Sequence, residues 1–149
     1  MIIISLKLYS GILDTVIITD NDLDTTIDLE EIYYAQAEDF YNVSKFSDAI
    51  FNFKSLINNY TSSPYLQLSV YDLYSCYEGL DTTADADYRD TLYGNLKNYC
   101  VEKLESEDYN FLVNDALYES VILCDANLEN YDDAMDGYEL LHSFTRILT

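Results

Sequence analysis

Apolar residues recur at helical spacing through most of this chain, most legibly between Ile32 and Pro64. In IYYAQAEDFYNVSKFSDAIFNFKSLINNYTSSP, Tyr33, Ala37, Phe40 and Tyr41 stand three and four residues apart, one stripe of a first helix. Asn42-Val43-Ser44-Lys45 is a polar break. A second stripe follows through Phe46, Ala49, Ile50, Phe53, Leu56, Ile57 and Tyr60. Asn58 and Asn59 weaken its end, and Pro64 cannot continue a helix and biases Ser63 towards extended backbone. Ala37 and Ala49 lie mid-stripe, where small side chains let two antiparallel helices approach closely.

The same spacing predicts a third helix over 65–80, through Leu66, Val70, Leu73, Tyr74 and Tyr77, ended by Gly79. Asp81-Thr82-Thr83 reads as a loop. A fourth helix is expected over 84–105 with Tyr88, Leu92, Leu96, Tyr99 and Leu104 inward. A fifth, over 109–126, runs through Leu112, Ala116, Leu117, Val121 and Cys124, and a sixth covers 131–148. In the sixth, Tyr131, Ala134, Tyr138 and Leu141 repeat the spacing of Phe46, Ala49, Phe53 and Leu56, an internal echo that points to repetition. Residues 2–19 have a different rhythm. Ile4, Leu6 and Leu8 alternate with Ser5, Lys7 and Tyr9, and Val16-Ile17-Ile18 is a second apolar run, both strand-like. This arm either folds back over the first helices or docks on a neighbouring subunit, since a bare apolar arm invites aggregation.

The organising stretch resembles a tetratricopeptide repeat. The family's aromatic, small, turn and proline positions fall on Tyr33, Ala37, Phe40-Tyr41, Ser44, Phe46, Ala49, Phe53, Leu56 and Pro64. Ser44 stands where the family has a turn glycine. Pro64 lies about one helical turn later than in the compact repeat, a longer form similar to the repeats of bacterial envelope-assembly proteins. The resemblance implies an all-α fold: about three antiparallel helix pairs stacked as a short right-handed solenoid over residues 32–149. Residues 1–31 precede it as an extended apolar arm and an acidic loop. It implies fold more than function.

Charge narrows the partners. The 149 residues carry 28 acids against 7 bases, a net charge of −21, so no nucleic-acid partner and no anionic membrane surface are expected. No apolar run reaches the roughly 20 residues of a membrane span, so direct membrane insertion is not expected either. The first residues lack the basic region of a signal peptide. Only 4 glycines and 1 proline suit regular helices with short turns. Tyrosine, 16 residues, exceeds what core stripes need and leaves rings for contact surfaces. Cys76, Cys100 and Cys124 match no metal or redox spacing and read as small buried thiols, with one disulfide plus a spare thiol as the alternative.

The best candidate for site chemistry is DNDLDTTIDLEE, residues 20–31. Asp20, Asp22, Asp24, Asp28 and Glu31 resemble the oxygen ligands of an EF-hand or dockerin-type calcium loop, which makes calcium the one candidate cofactor. Thr25 stands where those loops need glycine. The competing reading is a helix start, with Asp28 and Glu31 as a capping box and Ile27 stapled to Ile32. His142 has no companion motif, and no catalytic triad, phosphate loop or zinc spacing appears, so an enzyme is not expected. Asn42-Val43-Ser44 and Asn59-Tyr60-Thr61 are N-glycosylation sequons. The Asp-Thr pairs ending in Thr15, Thr25, Thr82 and Thr91 resemble a bacterial O-glycosylation consensus. Together they point to an extracellular or cell-surface chain, although a cytoplasmic one is compatible with the same composition.

The expected function is structural. A scaffold with an apolar arm at one end (Ile4, Leu6, Leu8, Val16 and Ile18) and an open last helix at the other would assemble head to tail with itself, as filament or ring. The alternative is a monomeric interaction module that holds a peptide or partner segment of another protein in a tyrosine-lined concave groove.

Overall fold

The structure, a computed structural model, describes residues 2–5, 15–18 and 29–147, with side chains over 29–143. It is all-helical apart from two short strands, β1 (Ile2–Ser5) and β2 (Thr15–Ile18), paired antiparallel with Ile3 opposite Ile17. Six helices follow: α1 (Leu29–Asn42), α2 (Phe46–Asn59), α3 (Leu66–Asp81), α4 (Ala86–Ser106), α5 (Phe111–Asn127) and α6 (Tyr131–Ile147). Sequence neighbours pack on one another, closely for α1–α2, α2–α3, α4–α5 and α5–α6 and only slightly for α3–α4, while α3 also packs on α5.

Both hairpins at the ends of this stack turn in the same way. After α1 the Lys45 N–H donates to the Phe40 carbonyl (2.9 Å) and the Ser44 N–H to that of Tyr41 (2.9 Å). After α5 the Asn130 N–H donates to the Asp125 carbonyl (2.9 Å) and the Glu129 N–H to that of Ala126 (3.2 Å). Each pair is a Schellman closure, and each needs one residue in the left-handed region. Those residues are Ser44 (φ 60°) and Glu129 (φ 61°), 85 positions apart. The residues that flank each closure also touch: the Lys45 ammonium lies 5.9 Å from the centre of the Phe40 ring, and the Asn130 amide donates to Asp125 Oδ1 at 3.3 Å. Under that 85-residue offset Ala49 coincides with Ala134, both buried.

The core runs through all six helices. Ala37, Phe53, Leu56, Ile57, Leu66, Val70 and Leu73 fill its first half, and Tyr93, Leu96, Val113, Leu117 and Ala134 the second. Cys76, Cys100 and Cys124 are free, buried thiols on three different helices, as their stripe positions predict.

Several expectations need correction. Gly79 does not end the third helix, which continues to Asp81. It is instead a point of close approach, because a Cβ there would stand 2.5 Å from Cζ of the Phe46 ring. Tyr88 (49% exposed) and Leu112 (54%) do not face inward, and Tyr93 and Val113 do. Tyr88 lies in the first turn of α4, ahead of its packed part, whereas Leu112 lies on the outward side of the same turn that buries Val113. Those helices begin where side-chain caps allow: Asp85 Oδ1 accepts the Tyr88 N–H (2.9 Å) and Asn110 Oδ1 that of Val113 (3.1 Å). The first helix starts at Leu29, ahead of the stretch that begins at Ile32 and where the helix-start reading of Asp28 and Glu31 places it. α2 ends at Asn59, at the weakened end and before Pro64; the turn that follows is closed by the Ser63 N–H donating to the Tyr60 carbonyl at 2.9 Å, and the Ser63 hydroxyl accepts the Tyr65 N–H at 3.2 Å.

Candidate interaction surfaces

Helices α2 and α6, aligned by the 85-residue offset, meet different fates. On α2, Phe53 and Ile57 are buried and Phe46 and Ile50 partly so, because α3 lies across them. At the same places on α6, 85 residues later, stand Tyr138, His142, Tyr131 and Met135. Tyr131 is 60% exposed, Met135 63% and Tyr138 39%. The periodicity therefore identified α6 correctly, but Tyr131 and Tyr138 are not core residues: among the described residues no helix covers their flank. Ala134 and Leu141 lie about a quarter-turn away, towards α5.

The opposite end of the stack is different in character. Ala116, Leu117, Ser120 and Cys124 on α5 are all buried. Their counterparts on α1, 85 residues earlier, are Glu31, Ile32, Ala35 and Asp39, of which only Ile32 is partly covered. The outer face of α1 thus carries two acids, Glu31 and Asp39, beside Ile32 and Ala35, while the outer flank of α6 is apolar.

A third surface follows α1, α3 and α5. The Tyr34 hydroxyl donates to Asp72 Oδ2 at 2.9 Å, and the Tyr34 ring stacks on Tyr65 with centroids 5.1 Å apart. The Tyr71 hydroxyl donates to Glu119 at 3.1 Å. Burial and the adjacent carboxylates push both phenols above their ordinary range, and burial raises the Asp72 carboxyl despite its bond from Tyr34. A half-buried row of phenols and carboxylates results, able to bind hydrogen-bond donors and cations.

The scarce cations are held by rings. Lys54 Nζ donates to the Tyr77 hydroxyl at 3.1 Å and lies 4.4 Å from the centre of the Tyr99 ring, which Lys103 also approaches at 5.8 Å. Two others meet acids, Arg89 with Asp81 and Lys97 with Asp125.

The remaining candidates are distributed as follows. Asp20, Asp22, Asp24 and Asp28 lie outside the described residues, as do Leu6, Leu8 and Thr25, while Glu31 sits in the first turn of α1. Ile4 is on β1, and Thr15, Val16 and Ile18 are on β2. Asn42 and Asn59 are exposed last residues of α1 and α2, with the Asn59 amide donating to the Ser55 carbonyl at 2.7 Å. Thr82 and Thr91 are exposed, and their hydroxyls donate back to the Gly79 and Asp87 carbonyls. His142 is exposed near the end of α6. Among the described residues no group of His, Cys, Asp and Glu is arranged to hold a metal ion. None of the described helices is long and apolar enough to cross a membrane. The row from Tyr34 to Glu119 was missed by reasoning from sequence. The tyrosine excess was its only signal. No protein-family model, curated protein or solved structure matches the chain.

Proposed function

We propose that this chain is a non-enzymatic structural scaffold of the tetratricopeptide-like kind that assembles head to tail with itself. The observation that carries the reading is the flank of α6. Tyr131, Met135 and Tyr138 lie open on it, where the matching flank of α2 is covered by α3. The acidic face of α1 is a poor complement to it, since α6 itself begins with Asp132 and Asp133. The apolar arm of the next copy, with Ile4, Leu6, Leu8, Val16 and Ile18, is the better one. Full cover of three such side chains yields on the order of 5 kcal/mol before the cost of association. The flank alone therefore gives weak contact, and the arm must bring its own apolar surface. Exposed Thr82, Thr91, Asn42 and Asn59 are reachable for glycosylation and fit an extracellular setting.

Multi-angle light scattering and negative-stain imaging over a concentration series, with and without calcium, test this. The full chain is expected to form particles well above its 17.2 kDa mass. Deleting residues 1–19, or Met135→Glu, is expected to return it to monomers with an unchanged helical circular dichroism spectrum. A monomer at every concentration refutes assembly. It would favour the second reading, a module that binds a partner segment along the Tyr34–Asp72 and Tyr71–Glu119 row.

A further inference from the structure

The other flank of α6 faces α4 across a cleft of about 480 Å³, with α5 as its base. Its floor is apolar: Val101 and Leu104 from α4, Val121 and Ile122 from α5, and Leu140 from α6. Leu140 remains 44% exposed at the mouth. Gly137 belongs to the same wall, and its missing side chain draws α6 close to Ile122. The rim is acidic. Glu105 stands on one side, Asp133 and Asp136 on the other, all three exposed. Asp125, deeper in the cleft, is already neutralised by Lys97 and accepts from Asn130. No described cationic side chain forms an ion pair with the three rim carboxylates.

We infer that this cleft docks a basic amphipathic segment of a partner protein, apolar side chains on the floor and Lys or Arg heads at the rim. The apolar floor asks for an apolar body. The three rim carboxylates ask for cations, and the long stems of Lys and Arg can cover apolar surface while their heads reach those carboxylates. The chain's own apolar arm, residues 2–19, offers one cation, Lys7, against three rim carboxylates and carries Asp14 besides, and a net charge of −21 repels an anionic membrane. The volume suits a short run of large side chains. This site is separate from the Tyr131–Met135–Tyr138 flank, so it stands whether or not the chain assembles.

Fluorescence anisotropy of the full chain with a labelled helical peptide of Leu and Lys tests the inference. Two control peptides accompany it, one with Gln for Leu and one with Glu for Lys. The Leu/Lys peptide is expected to bind, and each control about tenfold more weakly or not at all. Asp133→Asn with Asp136→Asn, and separately Leu140→Ser, should each weaken binding by about tenfold with unchanged circular dichroism. Asp87→Asn with Asp90→Asn, exposed on α4 away from the cleft, should leave it unchanged. The inference is overturned if the Leu/Lys peptide does not bind. It also fails if the Gln/Lys peptide binds equally well, or if the Asp87/Asp90 pair matters as much as the rim.

Discussion

A methyl group added at Gly137 should destabilise the protein, against the usual rule for helix interiors. In an open helix Gly→Ala gains about 1 kcal/mol. Here the new Cβ would lie 2.7 Å from Cγ1 of Ile122 and 3.2 Å from its Cδ1. Ile122 is 2% exposed and β-branched, so its rotamer cannot yield readily. Overpacking of this kind costs about 1–3 kcal/mol, which leaves Gly137→Ala less stable by roughly 1 kcal/mol. The first hairpin shows the remedy, because the residue matching Ile122 in α1 is Ala37. Ile122→Ala alone should cost about 2–4 kcal/mol through the cavity it leaves. In that background Gly137→Ala should restore about 1 kcal/mol, reversing its sign, because its methyl enters the vacated space and its propensity gain is realised. Urea unfolding followed by circular dichroism, at concentrations dilute enough to exclude association, measures all four corners of the cycle. Gly94 is the control: a Cβ there meets nothing within 4 Å, so Gly94→Ala should stabilise by roughly 0.5–1 kcal/mol. If Gly137→Ala stabilises wild type as much as Gly94→Ala does, the close α5–α6 contact is wrong.

Three further outcomes are expected. Ser44→Gly and Glu129→Gly should each raise stability by roughly 0.5–1 kcal/mol in urea melts, since both positions hold a left-handed backbone, and Ser44→Val should lower it. Burial pushes the Cys76 and Cys100 thiols up to about 12 and that of Cys124 higher still; iodoacetamide at pH 8 should label none of the three in the native chain and all of them in urea, by mass spectrometry. Burial likewise raises Tyr74 and Tyr109 to about 12. The unfolded chain loses these phenolic protons near pH 10, so their contribution to stability is intact below pH 10, falls above it and is gone past 12. The tyrosinate absorbance that is lost in Tyr74→Phe and Tyr109→Phe variants should therefore appear together with loss of helix; if that difference appears near pH 10 in a still-folded chain, the burial is contradicted.

The first hairpin was readable because each of its helices buries one face. Ala37, Ala49, Phe53, Leu56 and Ile57 sit where their spacing puts them, and Ser44 takes the turn position that usually belongs to glycine. The fifth helix was harder. It packs against α3, α4 and α6, so apolar residues surround it and no single stripe distinguishes Leu112 from Val113. In α4, Tyr88 follows the cap at Asp85 too closely to reach the core, and a cap is a weak signal in a chain with so many acids. The echo between Ala49 and Ala134 located α6 but could not say what lies across it. Periodicity records which side of a helix is apolar, while the covering element comes from elsewhere in the chain or from another molecule. The cleft beside Leu140 was invisible for the same reason, since it joins residues of three helices.

The hydroxyl of Tyr109 has one more consequence. It donates to the carbonyl of Ile57 at 2.9 Å, across 52 residues, in a buried position. That carbonyl belongs to the last turn of α2, where helices run out of internal donors. The bond pins the loop between α4 and α5 to the end of α2 and makes α2–α5 one mechanical block. Under a pulling force applied through the chain ends, α6 should peel away as a small step, while the pinned block, with α1 packed on α2, yields in a single larger rupture. Tyr109→Phe would remove the pin and blur that event into the other.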